Sequence, residues 1–364
     1  MTTGTPNICF VVGDLGSAKE MIPVAVELEK RDILVKWFAD PKGKAGSDLL
    51  AKKNISFSDR EPMTDKPDLI LVGTSASANG LQVAWTKFGR ERKIPVGWLE
   101  DLWGTGERLN SREVDPDFML VNDEVAAQIA KNVRPNLETI VVGKATFENL
   151  APLVKNANEI RARTRQALDV HDEEILVTYW SGGEKPDRVQ AHLEAILQEM
   201  IFLSNYSMAL AARLHPKLPE AFKEQCGKMM RDSGVKILES GPINPAELNI
   251  ASNGVVADWS GTEGYAAMLV GTPVGITMFP EDADRLNSVG YSLGVPPLIM
   301  ANAATSLNKR ESVIEYFIKL IAISQNDRLD LSYEVDGRDK FVSLLVPGAS
   351  SRIADAVMSR LGKK

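Results

Sequence analysis

The sequence has few of the residues that build disulfide frameworks or histidine-rich metal sites. Among its 364 residues there are 2 cysteines and 3 histidines. Cys9 and Cys226 lie far apart, and Cys9 falls in an apolar strand pattern typical of a buried small hydrophobe. Two cysteines do not make a disulfide framework, which suits a reducing cytoplasm. We expect no resident metal, because three histidines exclude a histidine-rich site and no cluster of metal ligands is evident.

Long apolar runs and an excess of basic residues are also missing. The most apolar window, residues 266–279, is interrupted by Gly271, Pro273 and Gly275 and is too short to span a bilayer. The formal net charge of −7 at pH 7 argues against a general nucleic-acid binder, which would carry a basic face. One basic stretch, residues 87–93, is typical of a solvated helix face, and contact with anionic lipid is the alternative. We therefore expect a cytoplasmic protein, with peripheral membrane association left open.

Short apolar runs alternate with helical stretches along the whole chain. Strand-like runs occur at residues 8–12, 34–39, 69–72, 96–99, 118–121, 139–142, 175–179, 209–214, 235–237, 254–257 and 274–277. This alternation predicts an α/β fold with parallel sheets covered by helices. The length favours two domains, with a boundary at a charged helical segment. We predict domains over residues 1–155 and 156–347, followed by an amphipathic helix within residues 348–364.

Residues 254–280, GVVADWSGTEGYAAMLVGTPVGITMFP, form a pattern of strand, turn, helix, turn and strand. Ser260, Gly261 and Thr262 supply small residues suited to a helix start, and Glu263 lies in the first helical turn. Where a ligand takes over the capping role, the first N–H groups and the positive helix end bind phosphate or pyrophosphate. These four residues are therefore candidates for binding a diphosphate. An ordinary βαβ turn with Ser260 as the N-cap is the alternative.

Two more turns follow strand patterns in the second half of the chain. Ser181, Gly182 and Gly183 can present N–H groups to a phosphate as a nest, and a flexible surface turn is the alternative. His215 lies between two basic residues at the end of the next strand pattern. Its imidazole there can donate to a phosphate oxygen or stabilise a leaving group, although a single histidine can also be structural.

The first half of the chain contains two candidate sites. Gly16 and Ser17 follow the first strand pattern, where they allow close approach of a ligand to the backbone or form a plain βα turn. Glu100 and Asp101 are adjacent carboxylates directly after the run at residues 96–99. Such a pair can serve as a general base, because burial and mutual repulsion raise a carboxyl pKa. Solvated loop acids are the alternative.

Taken together, these motifs resemble the GT-B superfamily of nucleotide-sugar glycosyltransferases, polymer-forming glycerophosphotransferases and UDP-N-acetylglucosamine 2-epimerases. The resemblance covers nearly the whole chain, although each motif matches only in part. It implies two Rossmann-like domains whose parallel sheets face each other across a cleft. By the same resemblance, the C-terminal helix crosses back onto the first domain.

The resemblance also assigns roles to single residues. Residues 13–28 resemble the glycosyltransferase opening, in which a His precedes a Pro by three residues. Here Glu20 stands in the place of that His, three residues before Pro23. Glu20 is therefore a candidate base for deprotonating an acceptor hydroxyl. Residues 94–100 resemble the epimerase segment with a catalytic Glu, which falls on Glu100.

Other motifs separate the branches of the superfamily. Residues 214–216 and 258–261 are similar to the His-Pro and Asp-Tyr-Ser-Ser motifs of glycerophosphotransferases, in which the His and the Ser-containing turn hold the nucleotide diphosphate. The epimerase Gly-Asp-Thr motif is Gly-Thr-Ser at residues 73–75, so its Asp is absent. Trp-Ser at residues 180–181 replaces an epimerase His-Arg pair. These losses argue against epimerisation.

The resemblance implies a GT-B glycosyltransferase that moves a sugar, or a related group, from a UDP-linked or other nucleotide diphosphate donor to an acceptor hydroxyl. A glycan and a lipid-linked saccharide are candidate acceptors, and a homodimer is left open. No nucleic-acid partner is expected. Two alternatives stay open, namely an isomerase or hydrolase resembling UDP-N-acetylglucosamine 2-epimerase, and a catalytically silent GT-B partner subunit.

Overall fold

The computed structural model describes residues 5–40, 44–59, 66–74, 79–104, 114–183, 185–259, 261–282, 294–325 and 337–361. These residues form two compact units. The first unit contains the described residues up to Glu148 and those from Ser343 onward. The described residues of the second unit all lie between Asn149 and Val342.

The first unit is built on a seven-stranded parallel sheet within the described residues. In chain order its strands are β1 Asn7–Val12, β2 Leu34–Ala39, β3 Phe57–Ser58, β4 Leu69–Gly73, β5 Val96–Leu99, β6 Phe118–Val121 and β7 Glu138–Val141. They lie in the order β3-β2-β1-β4-β5-β6-β7. The order reverses between β1 and β4, and ligands of such sheets bind beyond the carboxyl ends of the strands at this reversal.

The helices of the first unit surround its sheet. They are α1 Leu15–Glu29, α2 Lys44–Lys52, α3 Asn79–Arg92, α4 Glu124–Val133 and, at the far end of the chain, α13 Ala349–Met358. The last of these packs against α1, where Ile353, Ala354 and Val357 join the buried core. Arg31, just after α1, donates to the carboxylate of Asp355 and, at 2.7 Å, to the hydroxyl of Ser351.

The second unit repeats the scheme with a six-stranded parallel sheet. Its strands are β8 Ile175–Trp180, β9 Met208–Arg213, β10 Lys236–Ile237, β11 Gly254–Asp258, β12 Val274–Thr277 and β13 Thr305–Leu307. They lie in the order β10-β9-β8-β11-β12-β13, which reverses between β8 and β11. The predicted class of two parallel sheets covered by helices is thus confirmed.

Eight helices accompany the second sheet in the described part of the chain. They are α5 Leu150–Lys155, α6 Ala157–Ala167, α7 Pro186–Phe202, α8 Glu220–Asp232, α9 Pro245–Ala251, α10 Thr262–Leu269, α11 Pro297–Met300 and α12 Arg310–Gln325. Among the described helices of either unit, none combines the length and apolar content needed to cross a bilayer.

The packing of α13 yields a prediction for stability. Ile353→Ala should lower the free energy of unfolding by about 2 to 5 kcal/mol, because it leaves a cavity where a fully buried side chain packs beside α1. Ser359→Ala, at an exposed position just after the same helix, should change it by less than about 0.5 kcal/mol. Urea unfolding followed by tryptophan fluorescence measures both. Equal unfolding midpoints for the two variants would contradict the docking of α13 on this core.

Candidate functional site

The turns after β8, β9 and β11 are joined by hydrogen bonds at the carboxyl edge of the second sheet. These strands are neighbours in the order β9-β8-β11, so their carboxyl ends meet at one place. The Oγ of Ser181 accepts the backbone N–H of His215 at 2.7 Å. The Oδ2 of Asp258 accepts the N–H of Gly182 at 2.7 Å. Candidate residues from three separate segments are therefore brought together.

The helix after β11, α10, begins without a side-chain cap among the described residues. Gly261 is its N-cap residue, and the N–H of Gly261 donates to the carbonyl of Asp258 at 3.0 Å. Thr262 is the first helical residue and is half-buried, and an N–H at this position has no acceptor inside a helix. Such a helix start is suited to an anion. Ser260 lies outside the described residues.

Glu263 occupies the first turn of α10 and lies near a second charged residue, Arg213. Burial lowers the pKa of Arg213, and the charge of Glu263 opposes that shift. The guanidinium donates to the carbonyls of Ser240 and, at 2.6 Å, of Ile243. It also lies 5.2 Å from the ring centroid of Trp180. Arg213 thus braces the turn beyond β10 and is not simply an exposed cation.

The glycine turn after β8 offers fewer amides than the sequence indicated. The N–H of Ser181 donates to the carbonyl of Arg213 at 3.1 Å, and that of Gly182 is taken by Asp258. Gly183 N–H has no partner in the part of the chain that the structure describes. A Cβ at Gly183 would lie 3.7 Å from the ring of His215. The predicted nest of three amides is therefore reduced to the Gly183 amide, which lies beside the histidine.

The hydrogen bonds of His215 define the proton position in its neutral ring. Nδ1 accepts the backbone N–H of Lys217 at 3.1 Å. A ring nitrogen that accepts carries no proton, so in the neutral form Nε2 is protonated and is a donor. The half-buried imidazole thus carries its N–H at Nε2, and its role as a phosphate donor stays a prediction.

Sequence reasoning missed the buried residues beneath these turns. Asp258 ends β11, and its Oδ1 accepts from the hydroxyls of Tyr179 at 3.1 Å and Thr277 at 2.7 Å. The same oxygen is 2.9 Å from Nδ1 of His192, whose Nε2 is 3.0 Å from Oδ2 of Asp282. The signal in the sequence was a carboxylate closing an apolar strand and a histidine on the apolar face of a helix.

In the first unit, Glu20 lies in a buried ion pair. Its Oε1 is 2.7 Å from the Nζ of Lys144 and also accepts the hydroxyl of Thr146. Its Oε2 accepts the N–H of Thr146 at 3.3 Å. Both oxygens are thus engaged, and the residue is only 3% exposed. These contacts are typical of a structural ion pair. They make Glu20 a weaker candidate for the base than Glu100 or Asp101.

Glu100 is buried at the end of β5 with one oxygen lacking a partner. Its Oε2 accepts the N–H of Asn122 at 3.2 Å, whereas Oε1 has no hydrogen-bond partner among the described residues. Burial and then the charge of Asp123 raise the pKa of Glu100 to about 8, against the opposing effects of the Asn122 N–H and Lys144. A carboxyl that titrates near neutral pH can give or take a proton in a reaction.

Asp101 is the half-buried member of the acidic pair. Its Oδ1 accepts the hydroxyl of Thr74 at 2.6 Å, and its N–H donates to the same hydroxyl oxygen at 3.0 Å. The Nζ of Lys144 donates to its carbonyl at 2.6 Å. A Cβ at Gly16 would lie 2.8 Å from Oδ2 of Asp101. Glycine at position 16 is thus needed for the close approach of this carboxylate to the start of α1.

Ser17 is occupied by capping its own helix. Its N–H donates to Oδ1 of Asp14 at 3.1 Å, and its Oγ accepts the N–H of Asp14 at 3.2 Å, which completes a capping box. The side chain is fully buried. The two candidate helix starts therefore differ, because α1 is capped by its own residues, whereas none of the described side chains caps α10.

The buried Glu100 yields a prediction for pH dependence. Because the pKa is raised from the ordinary 4.5 to about 8 in the folded protein, the folded state retains a proton that the unfolded state loses. Stability from this group is therefore lost as pH rises between these values, by about 1.4 kcal/mol per pH unit. Glu100→Gln should abolish that loss and be the more stable protein at pH 8, by an amount on the order of a few kcal/mol.

Urea unfolding at pH 5, 6.5 and 8 measures the effect. Glu91→Gln, at an exposed position on α3, is the control and should follow the native protein at every pH. A Glu100→Gln variant whose stability runs parallel to the native protein from pH 5 to 8 would contradict the buried, protonated carboxyl.

The chain is similar in structure to solved proteins over nearly its whole length. The S. aureus MnaA–UDP co-structure matches with a TM-score of 0.64 and 16% identity, over 98% of this chain and 97% of that one. UDP-GlcNAc 2-epimerase from Neisseria meningitidis, bound to UDP-GlcNAc, matches with 0.61 and 17%, over 97% and 100%. CalG4, the calicheamicin glycosyltransferase, matches with 0.62 and 12%, over 99% of each chain.

No protein-family model matches the sequence, and no curated protein matches it significantly. The structural similarity therefore identifies the fold and not a closer relationship. From its two parallel sheets, each with a strand order that reverses beside its first strand, and from these end-to-end structural matches, we conclude that the chain has the GT-B fold.

Proposed function

We propose that this chain is a glycosyltransferase that moves a sugar from a nucleotide diphosphate donor to an acceptor hydroxyl. The observation that carries the proposal is that none of the described side chains caps the start of α10. This helix start follows β11, whose last residue is hydrogen-bonded to the turn after β8. Support also comes from structures of the same fold that hold UDP or UDP-GlcNAc.

The donors around this helix start suit a diphosphate. The N–H of Thr262 offers a helix-end donor, the N–H of Gly183 offers a second, and Nε2 of His215 offers a third beside it. A pyrophosphate held there accepts hydrogen bonds and meets the positive end of the helix dipole. These groups offset the diphosphate charge by the same means that oxyanion donors use.

In the proposed reaction the bond between the anomeric carbon and the diphosphate oxygen breaks, and the electron pair leaves with the nucleoside diphosphate. The acceptor oxygen forms the new bond to the anomeric carbon and loses its proton to a base. The donors at α10 and His215 stabilise the charge that develops on the leaving group. The Glu100–Asp101 pair receives the acceptor proton.

Asp101 is the better placed base of this pair. It is half-buried, whereas Glu100 is 1% exposed. The hydroxyl of Thr74 and the N–H of Asp101 orient the carboxyl group, as described above. Glu100 precedes it in the chain and is buried, and its titration near pH 8 makes the charge beside Asp101 dependent on pH.

A 2-epimerase-like isomerase or hydrolase is the second candidate. It is favoured by the raised pKa of Glu100 and by fold similarity to the N. meningitidis 2-epimerase. The threonine at position 74, where the epimerase motif has an aspartate, argues against it. The two activities differ in one measurement, because an epimerase or hydrolase converts the nucleotide sugar when no acceptor is added.

Binding at α10 is tested by deleting one N–H. Thr262→Pro removes the N–H of the first helical residue, and proline is well tolerated at this position. Gly261 has φ −87° and ψ 134°, which suits a residue preceding proline. The variant should bind UDP about 10-fold or more weakly, as expected for a lost hydrogen bond to a charged group. Thr262→Ala keeps the N–H and is the matched control.

Isothermal titration calorimetry with UDP, GDP, CDP and TDP measures these affinities. Equal UDP affinity for Thr262→Pro and Thr262→Ala would show that the diphosphate does not bind at the start of α10. No affinity of the native protein for any of the four nucleotides would overturn the proposed function and leave the catalytically silent subunit.

The base is tested by Asp101→Asn. We expect turnover to fall by about 10²-fold or more with the donor KM little changed, because a general base acts only in the transition state. The release of nucleoside diphosphate from a nucleotide sugar, with and without a panel of glycan acceptors, is the measurement. Asp48→Asn, at an exposed position on α2, is the control. Unchanged turnover in Asp101→Asn would assign the base elsewhere.

A further inference from the structure

His192 is a buried titratable residue that the proposed reaction does not use. It lies on α7, and its side chain is fully buried. As described above, its Nδ1 contacts Oδ1 of Asp258 and its Nε2 contacts Oδ2 of Asp282. Both ring nitrogens therefore face carboxylate oxygens at hydrogen-bond distance.

Geometry alone favours a doubly protonated ring. An ionised carboxylate oxygen accepts hydrogen bonds and cannot donate, so each ring nitrogen that contacts one must carry a proton. A neutral imidazole has a single N–H and would place a lone pair of one nitrogen against one of the carboxylates. The imidazolium satisfies both contacts at once.

The balance of charge around the ring supports the same form. Arg188 donates two N–H groups to Asp282, at 2.9 and 3.0 Å. With His192 charged, two cations balance the two anions Asp258 and Asp282. With His192 neutral, one negative charge would remain uncompensated in a buried site, which is unfavourable.

The pKa values follow this arrangement. Burial lowers the pKa of His192, but hydrogen bonds and charges of Asp258 and Asp282 outweigh it and raise the pKa to about 9. Burial likewise acts to raise the pKa of Asp282, but His192 and Arg188 lower it to about 2. The imidazolium is thus the form present at neutral pH.

The other titratable groups near the ring leave this balance unchanged. Tyr179 of β8 and Cys226 of α8 stay protonated at neutral pH, because burial raises the pKa of each. Glu281 pairs with Arg188 at 3.4 Å but is 68% exposed. The ring of Phe279 packs edge-on at a centroid distance of 5.0 Å and carries no charge.

Another ion pair on α7 involves Glu199, which lies farther along the helix than His192. Helix α12 packs on α7, and there Arg310 donates to Glu199, two turns beyond His192.

The two carboxylates connect the ring to the candidate ligand edge. Asp258 accepts the N–H of Gly182 in the turn after β8, and its carbonyl accepts the N–H of Gly261 before α10. Asp282 accepts the N–H of Phe279 at 2.8 Å in the turn after β12. A single buried ring therefore lies behind three neighbouring turns.

We propose that His192 is a positioning residue whose imidazolium fixes Asp258 and Asp282 and thereby holds the turns after β8, β11 and β12 in the geometry that receives the nucleotide diphosphate. The ligand in this inference rests on the proposed function. The charge of the ring and its link to the turns do not.

The charge of the ring is tested by ¹⁵N NMR of the native protein labelled at histidine. The chain has 3 histidines, so His171→Gln and His215→Gln assign the remaining signal to His192 without altering it. We expect both ring nitrogens to be protonated at pH 7 and to titrate near pH 9, with the Gly182 and Phe279 amide signals moving at the same midpoint. An unprotonated ring nitrogen at pH 7, or amide signals that ignore the titration, would overturn the inference.

The effect on binding is tested by titration calorimetry with UDP from pH 7 to 10, above the second phosphate pKa of about 6, and the native affinity is compared with that of His192→Gln at each pH so that titration of the nucleotide itself cancels. The native protein should lose about 10-fold in affinity as His192 loses its proton, an effect comparable to other single charged contacts. His192→Gln should bind about 10-fold more weakly than the native protein at pH 7, and this difference should disappear as the pH rises above the His192 midpoint. His171→Gln changes an exposed histidine of the same unit and should follow the native protein.

A second variant separates charge from shape. Asp282→Asn keeps the shape of the side chain but removes one anion, so it should move the His192 midpoint and the UDP step to lower pH together. Native-like UDP binding by His192→Gln at every pH would refute the positioning role. Absence of UDP binding by the native protein would refute the proposed ligand, and the NMR titration would still decide the inference.

Discussion

The buried carboxylate of Asp258 is the interaction on which the second unit's candidate site depends. Its two oxygens accept from the backbone of Gly182, two hydroxyls and the ring of His192. A carboxylate is stable in such a place only when its charge is met by donors, and here four donors from separate elements meet it. The same residue ends β11 and starts the turn to α10. Asp258 therefore fixes the sheet and the glycine turn through its side chain, and the helix start through its backbone carbonyl.

Lys144 has the corresponding place in the first unit. It is 2% exposed and lies over the rings of Trp103 and Phe147, 5.2 and 5.8 Å from their centroids. Its ammonium group pairs with Glu20 and holds the carbonyl of Asp101. This cation thus pairs with one carboxylate and one backbone carbonyl, and its charge only partly opposes the burial that raises the pKa of Glu100 to about 8. The two sheets have the same relative strand order, apart from the extra strand β7 in the first. A buried cation, Lys144, lies at the carboxyl edge of the first sheet, whereas a buried anion, Asp258, lies at that of the second.

Much of the fold could be predicted, because apolar runs directly specify buried parallel strands. The strands at 34–39, 96–99, 118–121 and 274–277 have the bounds that the pattern indicated. The exact start of the first helix at Leu15 was not predictable, because Asp14 and Ser17 form a capping box that the apolar period does not reveal. The strand β13 was missed because it is short and half-polar.

The candidate site was predictable only as a location. Turns after neighbouring parallel strands must meet at one edge, so the grouping of Ser181, His215 and Gly261 follows from strand order. Which amides stay available does not follow from it. Asp258 takes the N–H of Gly182 through a side-chain contact that no local pattern encodes, and the pairing of Glu20 with Lys144 joins residues that are 124 positions apart in the sequence.

The return of the chain to the first unit has a consequence for its modular use. The described part of the first unit is discontinuous, since α13 arrives only after the second unit has been completed. A fragment ending at Glu148 would expose the apolar strip of α1 that Ile353 and Val357 cover. Exchanging the stretch between Asn149 and Val342 by recombination keeps α1 and α13 in the same protein. A truncation at Glu148 removes α13 and leaves α1 without it.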